Sequence, residues 1–188
     1  MKKIILGSNS PRRRELLAGL DVEFTVDTGN TFDEVYSPDT PFDEVPVLMS
    51  VGKSEGFHRP LEDDEILITA DTMVILADEI LGKPHGREDA VRMLKDLSGR
   101  SHKVVTAVTI RDNSRTETFT DTTVVHFKEL SDSEIDYYLD RYSPYDKAGS
   151  YGVQEWIGYT AITSIEGSFY NVMGFPVHKV YEELRKFI

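Results

Sequence analysis

Apolar and polar positions follow two rhythms along this chain, and each change of rhythm marks an element. Residues 3–7 form a short apolar run of the kind that makes a buried strand. Ser10-Pro11 reads as a helix start, with serine as cap and proline in the first helical position. That helix runs to about Ala18 and stops at Gly19. A second strand is predicted over 23–26. After a polar stretch through Asp33-Glu34 and Ser37-Pro38-Asp39, Thr40-Pro41 predicts a helix that carries Lys53, with Pro46 sitting awkwardly inside it. Residues 65–70 and 73–76 are β-rich, with Asp71-Thr72 between them, and Asp78-Glu79 reads as a turn. Ala90, Val91, Met93, Leu94 and Leu97 recur at helical spacing, and Ser98-Gly99 ends that helix. The β-rich runs 104–110 and 116–127 predict a hairpin around Asp112-Asn113-Ser114. Ser131 to Glu134 is a capping box for a short helix, and Pro176 opens a last helix reaching Phe187. Strands interleaved with helices, plus a long hairpin, predict an α/β protein with a mixed sheet.

Composition narrows the class. With 188 residues, 39% hydrophobic and 29% charged, the chain fits one globular domain over residues 1–188. It has no cysteine, which excludes disulfides, thiolate metal sites and cysteine nucleophiles. The apolar start is too short for a signal peptide and is cut off by Pro11-Arg12-Arg13-Arg14, and no run has the length of a membrane span. These features predict a cytoplasmic protein that does not use a membrane. A net charge of -12 disfavours nucleic acid as a partner, because phosphate neutralisation dominates that affinity. A small polyanion remains compatible wherever basic residues concentrate locally.

One such place is the first strand-turn-helix. Ser8-Asn9-Ser10 joins a buried strand to a helix N-terminus, where free amides and the dipole suit a phosphate. Arg12, Arg13 and Arg14 lie in that first turn, where cations oppose the dipole unless an anion sits among them. The residues fit either a phosphate seat or a solvated basic turn with a good cap. Asp71 at a strand end fits a turn former, a base or a metal ligand. Lys83 precedes Pro84 and is held extended, Lys53 lies on a predicted helix, and Glu34 lies in a polar loop. Each, taken singly, also fits plain surface charge. The histidines form no metal-binding spacing, and His126 reads as a structural residue. There is no nucleophile elbow and no Walker A loop. The aromatic segment 150–170 fits either core or a wall for a nucleobase.

Taken together, these patches resemble the Maf family of nucleotide pyrophosphatases. Ser8-Asn9-Ser10-Pro11-Arg12-Arg13 is similar to its S-x-S-P-R-R opening, Asp33-Glu34 to its acidic pair and Lys53 to its helical lysine. Ala70-Asp71-Thr72 resembles A-D-T, and Gly82-Lys83-Pro84 resembles G-K-P. Leu97-Ser98-Gly99-Arg100-Ser101-His102 resembles L-S-G-R-x-H, and the run from Asp146 to Gln154 resembles D-K-A-G-x-Y-G-I-Q. Ile165-Glu166-Gly167-Ser168-Phe169-Tyr170-Asn171-Val172 resembles I-E-G-S-x-x-N-V. The patches keep their order over nearly the whole chain. Glu155, Ser54 and Pro46 depart from the pattern.

The resemblance implies a mixed, twisted sheet flanked by helices, with two lobes and a cleft, a fold of the Maf and inosine-triphosphatase kind. It implies a divalent cation, Mg2+ or Mn2+, and often a homodimer. It implies cleavage of a nucleoside triphosphate to the monophosphate and pyrophosphate, with Asp71 as proton acceptor and Glu34 and Asp71 at the metal. Ser8, Arg12, Arg13, Lys53, Thr72, Lys83 and Gln154 are the implied substrate contacts. Arg12, Thr72 and Gln154 occupy the positions that divide a dTTP/UTP group from a 7-methyl-GTP group, and Tyr151-Gly152-Val153-Gln154 resembles the former. The rival expectations are a purine-directed pyrophosphatase and an interaction protein of septum formation with vestigial catalysis.

Overall fold

The computed structural model describes residues 2–188. In chain order the elements are β1 (Lys3–Leu6), α1 (Pro11–Ala18), β2 (Phe24–Val26), α2 (Val45–Glu55), β3 (Glu65–Leu76), β4 (Glu79–Leu81) and α3 (Arg87–Leu97). The chain continues with β5 (Ser101–Arg111), β6 (Thr116–Phe127), α4 (Asp132–Tyr142) and a single 3-10 turn at Ala148–Ser150. It ends with α5 (Trp156–Thr160), β7 (Ile162–Glu166), α6 (Phe169–Met173) and α7 (Val177–Leu184). Among the described residues, seven strands make one mixed sheet in the order β2-β1-β3-β5-β6-β7, with β4 paired to β3. β1 runs parallel to both β2 and β3, whereas β4 is antiparallel to β3 and β7 antiparallel to β6. No described helix is long and apolar enough to cross a membrane.

Two compact units share these strands. The first holds residues up to Thr72, Thr106–Asp121 and Gly174–Ile188; the second holds Met73–Val105 and Thr122–Met173. β3, β5 and β6 each contribute residues to both. In the first unit, Ile66, Leu67 and Ile68 of β3 are fully buried. Burial of that completeness contributes about 1.5–3 kcal/mol for each large apolar side chain. α2 is tied to β3 by reciprocal hydroxyl bonds: Thr69 Oγ1 donates to Ser50 O (2.8 Å), and Ser50 Oγ donates to Thr69 O (3.3 Å).

Three expectations need correction. The strand over 65–76 is continuous, so Asp71-Thr72 is not a turn. Both polar side chains find partners sideways, and the backbone stays in the ladder. The helix expected from Thr40-Pro41 begins at Val45, which puts Pro46 in its first turn, where a missing N–H costs nothing. Glu79 belongs to β4, and the reversal is the two-residue turn Ala77-Asp78 with Ala77 in the left-handed region (φ 51°). Segment 150–170 contains α5 and β7 and mixes buried residues (Tyr151, Val153, Ile157) with exposed ones (Tyr159, Tyr170). The hairpin is present, and Asp112 Oδ1 closes its loop by accepting from Ser114 N (2.8 Å), Ser114 Oγ (2.8 Å) and Arg115 N (3.0 Å).

Candidate active site

The site in the first unit is assembled on β3 and α2. Asp71, in mid-strand, is 8% exposed. Lys53, in the last turn of α2, places its Nζ 2.5 Å from Asp71 Oδ1 and 3.1 Å from Glu34 Oε1. The loop bearing Glu34 is held at its start against the last turn of α2. Asn30 Nδ2 donates to Lys53 O (2.5 Å), and Thr31 N donates to Gly56 O (2.8 Å). Gly52 makes the approach feasible, because a Cβ there would lie 2.3 Å from the Phe32 ring. Three residues far apart in sequence thus meet as two carboxylates on one ammonium. Asp71 Oδ2 is buried and has no hydrogen-bond partner.

α1 supplies the second part. Its cap is as expected, with Ser10 Oγ accepting from Arg13 N (3.4 Å), while Ser8 Oγ accepts from Ser10 N (3.2 Å). The Arg13 side chain points back across β3. Its Nε donates to Gly174 O (2.9 Å), one terminal nitrogen to Ala70 O (2.9 Å) and Ser8 Oγ (3.3 Å), and the other to Thr72 Oγ1 (3.1 Å). Thr72 Oγ1 also shares a hydrogen bond with Thr106 Oγ1 (2.9 Å). A guanidinium carries five N–H donors, so these bonds leave Arg13 one for any further acceptor. Burial pulls its pKa below the ordinary value, an effect opposed by the Asp71 carboxylate and aided by Arg12. Residues 70 and 72, on either side of Asp71, are fixed by this one side chain.

Arg12 lies half-buried on α1 in the first unit, and the last two expected contacts, Lys83 and Gln154, lie in the second. Lys83 is exposed, on a loop anchored by Gly149 N donating to Gly82 O (3.0 Å). Gln154 is half-buried on the turn before α5, and its Oε1 is buried without a partner. Several motif residues brace the scaffold. The fully buried Asn171 donates through Nδ2 to Val104 O (3.0 Å) and Thr123 Oγ1 (2.9 Å), which moors α6 to β5 and β6. His102 Nε2 lies 2.6 Å from the Tyr151 hydroxyl, and burial lowers its pKa to about 3, so it stays neutral. His126 is structural, with Nδ1 at 2.6 Å from Ser101 Oγ and Nε2 at 2.8 Å from Glu166 Oε1. Sequence reasoning missed a polar cluster of Tyr138, Lys147 and Glu155 around the Gln154 turn. Its sequence signals were Lys147, inside the Asp146–Gln154 motif, and Glu155, a departure from that motif.

No cluster of three or more carboxylate or imidazole side chains able to hold a metal occurs among the described residues. Glu34 and Asp71 alone are nevertheless a fitting pair for a hard cation, since magnesium commonly takes one or two carboxylates together with substrate phosphates and water. The unpartnered Asp71 Oδ2 is an oxygen with a lone pair to give.

A family model described as Maf-like protein matches residues 3–187. Among curated relatives, a protein of Porphyromonas gingivalis strain W83 named dTTP/UTP pyrophosphatase is 54% identical, over 98% of this chain and 94% of its own length. Proteins with the same name from Parabacteroides distasonis and Bacteroides thetaiotaomicron are each 50% identical, over 98% of this chain and 96% and 95% of theirs. Among solved structures, a HAM1 protein from Coxiella burnetii superposes with a TM-score of 0.52 at 13% identity, covering 99% of this chain and 100% of its own, which is a likeness of fold. Matched almost end to end by the family model and by relatives of half its sequence, this chain belongs to the Maf family.

Proposed function

We propose that the chain hydrolyses dTTP and UTP to the monophosphate and pyrophosphate. The observation that carries the chemistry is Asp71: a buried carboxylate with one oxygen bonded to Lys53 and the other unpartnered. Oδ1 is held, so Oδ2 has a fixed direction in which to take a proton from an attacking water. The relatives' shared name, at 50–54% identity over nearly full length, supports the substrate assignment.

Lys53 acts as a point charge toward the phosphates and orients both carboxylates. Ser8, Arg12 and Lys83 add polar and cationic contacts to the triphosphate. Arg13 has one N–H for a phosphate oxygen, and its larger role is to hold Ala70 and Thr72 so that Asp71 keeps its aim. Glu34 and Asp71 would hold Mg2+ or Mn2+, which supplies a lowered water pKa and neutralises phosphate charge when bound. Charge stabilisation of this kind is usually the largest catalytic contribution.

Base selection falls to Gln154. Uracil and thymine present an N3–H donor beside the O4 acceptor, and a glutamine amide offers the complementary pair. The Gln154 Oε1 lacks a donor within the protein, which suits pairing with N3–H. A nucleoside triphosphate substrate is in keeping with a cytoplasmic site of action. The test is pyrophosphate release from dTTP, UTP, CTP, dGTP, ITP and 7-methyl-GTP, with and without Mg2+ or Mn2+. Selective release from dTTP and UTP is expected. Selective release from 7-methyl-GTP or ITP would replace the base assignment, and no release by folded protein would leave the interaction-protein reading.

A further inference from the structure

Gln154 stands on a turn whose neighbours are all restrained while its own amide is not. Glu155 N donates to Gly152 O (3.0 Å) and closes the turn. Gly152 N donates to the Tyr138 hydroxyl (2.9 Å), and that hydroxyl donates its own proton to Glu155 Oε2. Burial and the adjacent Glu155 carboxylate push the Tyr138 pKa upward, so the phenol keeps its proton and serves both partners. Lys147 Nζ lies 3.1 Å from Glu155 Oε1, with side chains only 11% and 18% exposed. Lys147 also meets Asp146 at 2.8 Å. On the far side Gly158 N donates to Glu155 O (2.9 Å). A Cβ on Gly152 would fall 2.8 Å from Glu155 Cδ, and one on Gly158 would fall 1.8 Å from Val153 O. The glycines therefore let both the carboxylate and the start of α5 press against the turn.

We infer that Glu155 is a positioning residue for base selection. Its carboxylate, engaged by Tyr138 and Lys147, fixes the backbone of residues 152–155 in the conformation that presents the Gln154 amide. The inference rests on the reading that Gln154 pairs with the base. Glu155 has no free oxygen to offer a nucleotide, so its influence on substrate passes through the turn. A largely buried ion pair that loses one partner leaves the other uncompensated, so truncating Glu155 loosens the turn from two sides.

Glu155→Ala, Glu155→Gln and Gln154→Ala are to be compared with the wild type for kcat and KM with UTP and CTP. Emission of Trp156, the single tryptophan, is to be followed in parallel. Trp156 adjoins the turn and lies edge-on to Tyr137 of α4 with ring centroids 4.8 Å apart, so it reports the turn's state in protein without nucleotide. Glu155→Ala is expected to raise KM for UTP and to lower the UTP-over-CTP preference roughly tenfold, toward that of Gln154→Ala, with kcat affected less. It is also expected to shift Trp156 emission. Glu155→Gln, which still accepts from Tyr138 but lacks the charge that faces Lys147, is expected to keep a preference between those of Glu155→Ala and the wild type. If Glu155→Ala does not fold, Tyr138→Phe removes the shared hydroxyl and carries the same expectation. Loss of preference in Gln154→Ala with a wild-type preference in Glu155→Ala overturns the positioning role and leaves the Gln154 reading intact. An unchanged preference in Gln154→Ala removes the base reading and this inference with it.

Discussion

Asp71 and Ser150 are two buried polar side chains with an oxygen unpaired, and they call for opposite expectations. Asp71 Oδ2 lies next to a lysine and a second carboxylate, so its unused lone pair has a chemical use. Asp71→Asn keeps the shape and a partner for Lys53 but cannot take a proton. Turnover is expected to fall by about 10²–10⁴ with the circular dichroism spectrum unchanged; rates near wild type would end the proton-acceptor assignment. The Ser150 hydroxyl is fully buried, unpaired and set on a left-handed residue (φ 61°), and none of the proposed chemistry uses it. Ser150→Ala keeps the same backbone strain and removes an unsatisfied hydroxyl. It is expected to raise stability by about 1 kcal/mol in denaturant titration with kcat unchanged. A loss of activity there would give the hydroxyl a role that the geometry does not show.

At the scale of elements, the glycine in α2 has the clearest consequence. Gly52→Ala puts a methyl group into the Phe32 ring and must push away the loop that carries Glu34. A cost of about 1–3 kcal/mol is expected, with a higher Mg2+ concentration needed for half-maximal activity. The double variant Gly52→Ala with Phe32→Ala should regain part of the metal response if displacement of the loop is the cause. Most elements were legible because their signals are local: the Ser10 cap, the capping box at Ser131 and the apolar spacing of α3 each lie within a few residues. What failed was set by distant partners. Nothing near Asp71 says that Lys53 and Arg13 will satisfy its strand sideways, so a turn former stood beside a base and a metal ligand among its readings. The site was legible as a set of motif residues, whereas the division of labour was not. The motif points to Arg13 as a phosphate ligand, whereas its bonds to Ala70, Thr72 and Gly174 add a bracing role that no motif announces. Likewise, the hydroxyl that links Gly152 to Glu155 comes from Tyr138, outside every motif.

Across the whole molecule, acid should act in two stages. His102 is held neutral by burial, with a pKa near 3 against an ordinary 6.5. As the pH falls below 6.5 the unfolded chain binds a proton there that the native chain does not, so stability declines from that point. Glu65, paired with Arg59, and Glu134, paired with Lys128, both titrate near 2 when folded. Their contributions are complete above the ordinary carboxylate pKa of 4.5 and are lost as the pH falls from there toward 2. Urea midpoints measured from pH 7 to pH 3 should therefore fall first gently and then steeply, and His102→Asn should flatten the upper limb. An equal slope between pH 7 and 5 in that variant would dissociate His102 from the effect.

The first unit is closed by its last segment. Phe175, Val180, Leu184 and Phe187 are buried, the Arg115 guanidinium lies 4.2 Å over the Phe187 ring, and Gly174 O receives Arg13. During synthesis these residues leave the ribosome after every other part of this unit. Until then Arg13 waits without the Gly174 carbonyl that takes its Nε–H, and a unit begun before the second is completed after it. A ribosome stalled near residue 173 would hold a nascent chain that contains every proposed catalytic residue and has no assembled catalytic site.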